Sequence, residues 1–489
     1  MATYWTQYAA LPEGIRAGVR LVEEDGRWVD IQPGVPRPQT DGRPADGRPE
    51  DGRPGDGRSG QGRPAGRGEQ DVEVWDGVTL PGMANCHSHA FHRALRGRTH
   101  GEGGTFWTWR ERMYAVAARL TPAHYHALAR AVYAEMALAG VTSVGEFHYV
   151  HHRPDGSPYE PQDAMDEALR TAAREAGVRL TLLDTCYLEG GLTAGGHSPL
   201  SQEQARFGDG SVESWARRHA ALEGDDNTVI GAAIHSVRAV RRQDLPAVVQ
   251  ACDGQPLHAH VSEQPAENEA ARAFYGRTPV ELLAEAGALG ERFTAVHATH
   301  LTGTDIEALG AAGATACFCP STERDLADGI GPAVELLRSG ARLSLGSDQH
   351  AIIDMFDDAR ALELHERLMT HERGRLQQPE LLAAATRHET IGWPDAGSLS
   401  VGARADAVAV SLTSPHTAGV LPAQVLMAAA VGDVRHVLCG GRRTVRDGRH
   451  GLGDVGSLLT DAINELWDTT GEPVPDDDAA ERAAAEVRS

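Results

Sequence analysis

The sequence predicts an α/β protein: a (β/α)8 barrel with a small β-sandwich domain built from both chain ends. Two observations support this fold class. Eight apolar, strand-like runs recur along the chain, and segments of helical period separate most of them, as in parallel βαβ units. Short strand patterns with turn signals also occur near both ends of the chain. Eight strands over about 270 residues is the count and size of a barrel.

The eight strand candidates end in polar or small residues, and each helical segment between them ends near a glycine that suits a helix C-terminus. The strands are predicted at residues 83–89, 141–147, 179–185, 229–235, 256–263, 293–297, 315–319 and 342–348. Helices are predicted at 123–139, 164–176, 280–288 and 331–339. This alternation predicts the barrel.

Residues 18–22 and 28–31 flank Asp25 and Gly26, a hairpin turn signal, and strand patterns recur at 407–410 and 434–439. We therefore expect one small β domain from both ends. The predicted divisions are 1–78, the first part of that domain, with a disordered insertion of Asp-Gly-Arg-Pro repeats at 33–68; 79–390, the barrel; 391–455, the second part of the β domain; and 456–489, a C-terminal helix and a frayed acidic tail.

Composition excludes several functions. The 489 residues carry a formal net charge of −23, and all 46 basic residues are arginine because no lysine occurs. The absence of lysine excludes a Walker-type phosphate loop, Schiff-base chemistry and a metal pair bridged by a carbamylated lysine. The acidic surplus argues against nucleic-acid partners, and no apolar run approaches the ~20 residues that cross a membrane.

We expect a cytoplasmic protein. The N-terminus has no basic segment followed by an apolar one, so no secretory signal is visible. Six cysteines are scattered along the chain, and the one close pair, Cys317 and Cys319, does not have the spacing of a Cys-x-x-Cys motif. Reduced thiols are therefore expected.

Polar residues that could bind a metal end several of the predicted strands. His87 and His89 end the first strand, where period-two alternation places both imidazoles on one side. The fifth strand carries two histidines that also share a face, the sixth ends in His297 and the eighth in Asp348. The carboxyl ends of barrel strands hold the chemistry, so this set predicts a catalytic metal site with an open position.

Residues 80–89, Leu-Pro-Gly-Met-Ala-Asn-Cys-His-Ser-His, resemble the first-strand signature of the amidohydrolase superfamily. Later motifs of that superfamily are similar to His260 with Glu263, to His297, to Asp348 and to residues 397–406. The resemblance covers nearly the whole chain apart from the insertion and the tail.

The resemblance implies one divalent metal per chain, with zinc as the expected ion, because this chain has no lysine to bridge a pair. The implied ligands are His87, His89, His260 and Asp348. His258 shares a face with His260, so the residue pattern alone leaves His258 open as the ligand from that strand.

Three catalytic roles also follow from the resemblance. Asp348 accepts a proton from the attacking water, His297 stabilises the charge that develops on the attacking oxygen, and protonated Glu263 donates to the leaving nitrogen. The implied reaction is hydrolysis at a C=N carbon with loss of ammonia. A second interpretation makes Glu263 a hydrogen-bond partner of His260.

Residues 105–114, 145–149 and 235–238 resemble a deiminase branch of the superfamily that acts on a formimino dicarboxylate. The residues implied to contact the two carboxylates are Arg110, Tyr149, His235 and Arg238; guanidinium groups bind carboxylates bidentately. Two departures leave specificity open. His92 stands where a substrate-contacting glutamine is expected, and Arg324-Asp325 stands where smaller or neutral residues are usual.

Two other functions compete with this interpretation. A deaminase of an aminated ring, of the guanine or adenosine type, could use the same metal site but predicts a wide aromatic slot in place of paired arginines. A catalytically inactive barrel that serves as a scaffold is the second; such proteins usually lose metal ligands. The expected partner is a small dicarboxylate, without nucleic acid or membrane, and a homodimer is left open.

Overall fold

The computed structural model describes residues 1–38, 72–100 and 106–467. Most of the predicted repeat insertion and the predicted acidic tail lie outside these ranges. Residues 33–38, at the start of the predicted insertion, lie inside them and pack against the small β domain, where the Val35 N–H donates to the Gly18 carbonyl at 2.7 Å.

The strands, in chain order, are β1 (Ala2–Leu11), β2 (Gly14–Glu24), β3 (Arg27–Gln32), β4 (Val72–Pro81), β5 (Met83–Ser88), β6 (Val141–His148), β7 (Arg179–Cys186), β8 (Gly191–Thr193), β9 (Gly196–Ser198), β10 (Thr228–Ile234), β11 (Leu257–Val261), β12 (Phe293–His297), β13 (Thr315–Phe318), β14 (Arg342–Leu345), β15 (Ala407–Val410), β16 (Val434–Cys439), β17 (Arg442–Arg446) and β18 (Arg449–His450).

The α-helices are α1 (Phe106–Arg119), α2 (Pro122–Leu138), α3 (Ala164–Ala176), α4 (Val212–His219), α5 (Leu245–Ala251), α6 (Pro265–Tyr275), α7 (Pro279–Glu285), α8 (Gly303–Ala311), α9 (Pro320–Asp325), α10 (Ala333–Ser339), α11 (Met355–Thr370), α12 (Gln378–Ala385) and α13 (Val455–Leu466). Short 3₁₀ turns connect several of these elements.

The predicted barrel is confirmed. Its eight parallel strands follow the order β5-β6-β7-β10-β11-β12-β13-β14, and all eight lie where the sequence predicts strands. Just beyond β14 the ring closes on the end of β5: the Asp348 N–H donates to the His87 carbonyl at 3.0 Å, and the His89 N–H donates to the Asp348 carbonyl at 3.1 Å. Three predicted site residues therefore lie at the seam of the barrel.

The four predicted helices are present as α2, α3, α7 and α10, shifted by at most a few residues. Local signals explain their bounds. Thr278 caps α7 with a capping box: its hydroxyl accepts from the Glu281 N–H, and its own N–H donates to the Glu281 carboxylate. Glycines with positive φ end two of the helices, Gly177 after α3 at 78° and Gly340 after α10 at 104°.

The small β domain is built from both chain ends, as predicted. Its eight strands form one sheet in the order β18-β17-β16-β15-β4-β1-β2-β3. The sheet curls on itself, because the Trp28 N–H of β3 donates to the Ala403 carbonyl in the segment before β15. Trp28 and Trp75 are buried inside the curl. β1 and β4, which pair in parallel, were not predicted from the sequence.

A buried ion pair joins the two domains. Arg179 at the start of β7 donates from Nη1 to Oδ1 of Asp406 at 2.9 Å, and its Nη2 also contacts Asp406 Oδ2. The Gly440 N–H donates to the same carboxylate at 2.7 Å. Because both charged side chains are at most 4% exposed, this contact fixes the β domain against the end of the barrel opposite the predicted site.

All six cysteines are buried and free of disulfides. Within the described ranges, no helix is both long and apolar enough to cross a membrane.

Candidate metal centre and substrate pocket

The four predicted metal ligands converge at the carboxyl ends of the barrel strands. His87 and His89 lie at the end of β5, His260 lies on β11 and Asp348 follows β14. Asp348 Oδ1 is 3.4 Å from His87 Nε2 and 3.3 Å from His89 Nε2. His260 Nε2 is 3.1 Å from His87 Nε2. All four side chains are buried. We name this cluster the metal centre.

The donor set of the metal centre fits a divalent cation. His89 Nδ1 lies 2.9 Å from the Phe147 carbonyl oxygen, and His260 Nδ1 lies 2.9 Å from the His235 carbonyl oxygen. A carbonyl only accepts, so each Nδ1 carries the proton and each Nε2 presents a lone pair to the centre. Burial lowers the pKa of His89 to about 3 and holds the pKa of His87 well below its usual range. Neutral imidazoles with one carboxylate are zinc-type ligands.

His258, the alternative ligand, lies away from the metal centre. It is two residues earlier on β11, and its Nε2 is 3.0 Å from the Thr390 carbonyl oxygen. Among the described residues, the groups whose ligand atoms lie within 4.8 Å of one another include His260 and not His258. The geometry therefore brings His260 to the other ligands.

Two site residues have left-handed backbone conformations. His297, the last residue of β12, has φ 66°, and Asp348 has φ 45°. This region costs a non-glycine residue about 1–2 kcal/mol, and such residues cluster at functional sites. Both residues lie at the ends of barrel strands, and this backbone conformation brings their side chains into the barrel mouth.

His297 lies among three carboxylates. Its Nε2 is 3.8 Å from Glu263 Oε1 and 3.8 Å from Asp348 Oδ2, and its Nδ1 is 3.6 Å from Glu323 Oε1. Burial alone lowers the pKa of His297, but the carboxylates outweigh burial and raise it to about 10. The protonated imidazole can donate a hydrogen bond to an oxygen beside the metal centre.

A cavity of about 340 Å³ opens over the metal centre. Its wall includes all the predicted catalytic and substrate-binding residues, namely Glu263, His297, Asp348, His92, Arg110, Tyr149, His235 and Arg238. The structure thus brings the sequence-predicted site residues to one pocket, although they come from seven segments of the chain.

Both predicted carboxylate-binding arginines already have partners in the cavity wall. Arg238, after β10, donates from Nη2 to Glu263 Oε2 at 3.1 Å. Arg110, on α1, donates from Nε to the Tyr114 hydroxyl at 2.7 Å. Glu263 therefore pairs with an arginine, while His260 is oriented by a backbone carbonyl, and the interpretation of Glu263 as the partner of His260 finds no contact among the described residues.

Comparison with protein families agrees with this architecture. The model of the amidohydrolase family matches residues 78–444, from the end of the first β segment through the barrel into the second. The chain belongs to the amidohydrolase family.

Individual relatives extend the match beyond the residues of the family model. A formimidoylglutamate deiminase from Pseudomonas aeruginosa is 37% identical over 471 residues, which cover 92% of this chain and 96% of that protein. An 8-oxoguanine deaminase from the same species is 30% identical over 396 residues, covering 78% and 85% of the two chains. The crystal structure of an amidohydrolase from Brucella melitensis has a TM-score of 0.82 and 33% identity, covering 96% and 100%. The chain described here is therefore a hydrolase of carbon–nitrogen bonds.

In the present enzyme, His92 supports Tyr149, a residue of the cavity wall. His92 is buried, and its Nε2 is 3.0 Å from the Tyr149 hydroxyl. Its ring also packs against Trp109 at 5.1 Å between centroids. The histidine that replaces the expected glutamine thus orients the Tyr149 phenol at the cavity wall.

The second departure from the family pattern, Arg324-Asp325, lies outside the cavity wall. Arg324 Nη2 pairs with Asp357 at 2.6 Å on the surface. Asp325 accepts a hydrogen bond at 2.8 Å from the side-chain amide of Gln349, which does line the cavity. Asp325 therefore contacts a residue of the cavity wall, Gln349, without lining the cavity itself.

Two carboxylates beside the metal centre were not predicted. Glu323 at the start of α9 lies behind His297 and accepts the Cys319 N–H at 2.8 Å. Glu146 on β6 accepts from the Ser88 hydroxyl and from the Ala90 N–H, both at 2.6 Å, and so braces the turn that carries His89. Glu146 lies in segment 145–149, which resembles the family, and Glu323 precedes Arg324-Asp325, but a buried supporting carboxylate leaves no periodic signal.

Proposed function

We propose that this enzyme hydrolyses N-formimino-L-glutamate to N-formyl-L-glutamate and ammonia, a step of histidine degradation. The observation that carries the proposal is one cavity that joins the metal centre to two arginines, Arg110 and Arg238. The formimidoylglutamate deiminase that is 37% identical to this chain supports the same substrate.

We further propose that His87, His89, His260 and Asp348 hold one divalent metal ion, with zinc as the expected ion. Such an ion supplies an activated water at neutral pH. The fit rests on the lone pairs that His89 and His260 direct into the centre and on the adjacent carboxylate.

The chain's own side chains then divide the proton transfers. Asp348 is the base that accepts the proton of the water as its oxygen bonds to the imino carbon. Protonated His297 donates a hydrogen bond to that oxygen as charge develops. Glu263, which faces the same cavity, delivers its proton to the imino nitrogen, which leaves an amine and a hydroxyl on one carbon. Asp348 then passes the water proton to that nitrogen, the hydroxyl proton returns to Glu263, and the C–N bond breaks to release ammonia as the carbonyl forms. Water and substrate together account for every atom of the two products.

Substrate recognition is assigned to the positively charged part of the cavity. In a chain of net charge −23, a dicarboxylate needs local cations, and guanidinium groups bind carboxylates in charge-assisted pairs. Arg238 and Arg110 bind the two carboxylates, with hydrogen bonds from Tyr149 and His235, and His92 holds Tyr149 in place.

Ammonia release from N-formimino-L-glutamate, guanine and adenosine tests this function. We expect ammonia release from the dicarboxylate alone, since a flat purine carries no carboxylates for the two arginines to bind. Release from a purine in place of the dicarboxylate would support the ring-deaminase alternative that the 8-oxoguanine deaminase relative represents. Release from none of these substrates by metal-loaded protein would support an inactive scaffold.

A further inference from the structure

A second cluster of metal-type ligands lies behind the barrel wall, on the opposite face of β6 from the metal centre. Phe147, whose side chain packs on His87 and His260, points toward the metal centre. Alternation along a strand turns the next residue, His148, to the other face. There His148 meets His151 from the following loop and Asp166 from α3.

These three side chains approach one another at ligand distances. One potential ligand atom from each lies within 4.8 Å of the other two. The Nε2 of His148 is 3.4 Å from Oδ1 of Asp166. Ligand bonds of about 2.0–2.2 Å in a tetrahedron place neighbouring ligand atoms about 3.3–3.5 Å apart, so this separation fits a zinc ion between the two atoms.

Each member of the cluster also presents a buried polar atom with no hydrogen-bond partner: His148 Nε2, His151 Nδ1 and Asp166 Oδ1. The three side chains are at most 2% exposed, so bulk water does not satisfy them. Buried polar atoms without partners cost about 1–3 kcal/mol each, and three in one place call for a ligand.

The protonation states favour a cation. His151 Nε2 lies 3.1 Å from the Thr185 carbonyl oxygen and must donate to it, which leaves a lone pair on Nδ1. Burial lowers the pKa of His151 to about 4, so the ring is neutral at pH 7. The cluster therefore brings the lone pair of His151 Nδ1 together with the carboxyl oxygens of Asp166, beside His148 Nε2.

Nearby charges leave room for a positive ion. Two arginines lie near the cluster. The charge of Arg218 is offset by Asp184 at 2.6 Å and Asp209 at 2.8 Å, and Arg206 donates to the Leu120 and His152 carbonyls, both at 3.0 Å. Among the described residues, no ion pair within 4.0 Å joins Asp166 to an arginine. Asp166 thus has His148 as its near neighbour and no arginine at ion-pair distance among these residues.

We propose that His148, His151 and Asp166 form a second, structural site for a divalent metal of the zinc type, with one position left for a water molecule or a neighbouring side chain. The ion would tie the end of β6 to α3. Such a tie would also stabilise the residues on either side of His148. The Phe147 carbonyl orients His89, and Tyr149 lines the substrate cavity. The site stands independently of the proposed function, because none of its ligands contacts the cavity.

Zinc content tests the proposal. The chain is loaded with excess zinc, separated from free ion by gel filtration, and measured by inductively coupled plasma mass spectrometry. We expect about two ions per wild-type chain and about one in Asp166→Asn or His151→Gln. The matched control Asp163→Asn, an exposed carboxylate beside α3, should keep both ions. Circular dichroism checks that each variant is folded.

Anomalous diffraction at the zinc edge from crystals grown of the zinc-loaded wild-type protein locates the ions without any variant. A peak between His148 Nε2 and Asp166 Oδ1 supports the proposal. A single peak at the metal centre, with a water molecule or no density at the second cluster and with one zinc per chain, would overturn it. A single peak at the second cluster would keep this inference and instead contradict the metal assignment of the proposed function.

Discussion

Arg238 donates from Nη2 to Glu263 Oε2 at 3.1 Å. The residue assigned to a substrate carboxylate and the residue assigned as proton donor are therefore partners across the cavity. Arg238 is 25% exposed on its side chain, and Glu263 is 11% exposed, so the pair faces the space that a substrate enters. In the proposed complex, the Arg238 guanidinium contacts both a substrate carboxylate and Glu263. Substrate binding at Arg238 is thereby coupled to the carboxyl group that is assigned as proton donor.

Arg238→Met should lower kcat/KM for N-formimino-L-glutamate by about 10- to 100-fold. The variant loses charge-assisted hydrogen bonds worth about 1.5–3 kcal/mol and leaves Glu263 without its arginine. Steady-state ammonia release measures the effect. Arg292→Met, at a surface ion pair, serves as control and should match wild type. An Arg238→Met enzyme with wild-type kcat/KM would show that the carboxylate contact is misassigned.

Asp348→Asn should abolish turnover while leaving the fold intact. The substitution keeps the shape but removes both the base and the carboxylate that lies 3.3 Å from His89. Loss of a positioned base costs about 10²–10⁴-fold, and a weakened metal site adds to that loss. Activity assays and thermal melting of the purified variant measure the two parts. Preserved turnover would falsify the role as base.

Glu323→Gln tests the carboxylate behind His297. The amide can still accept the Cys319 N–H but carries no charge, so we expect kcat about tenfold lower with KM nearly unchanged. Because Glu323 favours the charged form of His297, the pKa of that histidine should fall from its raised value, as read by NMR of the metal-free protein.

Glu335→Gln on α10, an exposed carboxylate paired with Arg375, is the matched control and should change neither quantity. An unaltered kcat together with an unaltered pKa of His297 in Glu323→Gln would contradict the positioning role.

Asp406→Asn should destabilise the protein by about 3–5 kcal/mol at pH 7, because it leaves buried Arg179 without its carboxylate. Burial alone raises the pKa of Asp406, but Arg179 outweighs burial and lowers it. The stabilisation is therefore complete above the unfolded-state pKa of about 4 and is lost as pH falls through the lowered folded-state pKa.

Urea unfolding at pH 7 and pH 3 measures this difference, which should narrow at the lower pH. Asp30→Asn, in the half-exposed pair with Arg20, is the control and should cost less than about 1 kcal/mol at either pH. A similar small cost for Asp406→Asn would show that the domain junction does not depend on this pair.

The sequence was informative where a periodic pattern met a strand end. Alternation alone placed His87 and His89 on one side of β5, and the glycine after each helix marked its end at Gly177 and Gly340. His258 and His260 could not be separated in this way, because both lie on the same face of β11. Their difference is depth along the strand, about 6–7 Å over two residues, which becomes visible only when the Thr390 carbonyl is placed against His258.

Contacts between segments that are distant in the chain could not be predicted from the sequence. The pairing of Arg238 with Glu263 depends on how the loops after β10 and β11 approach each other. The pairing of β1 with β4 spans the insertion, and the curl of the small sheet depends on the contact between Trp28 and Ala403. None of these contacts has a local sequence signal, because each is set by the closure of the barrel or the sheet.

Product analysis of the reaction with N-formimino-L-glutamate decides whether the enzyme has the proposed activity. Metal-loaded enzyme is incubated with the substrate, and products are quantified by NMR and an ammonia assay. We expect N-formyl-L-glutamate and ammonia in equal amounts, since water adds to the imino carbon and Glu263 protonates the imino nitrogen. Formation of L-glutamate and formamide, or no conversion of this substrate while a purine is deaminated, would contradict it.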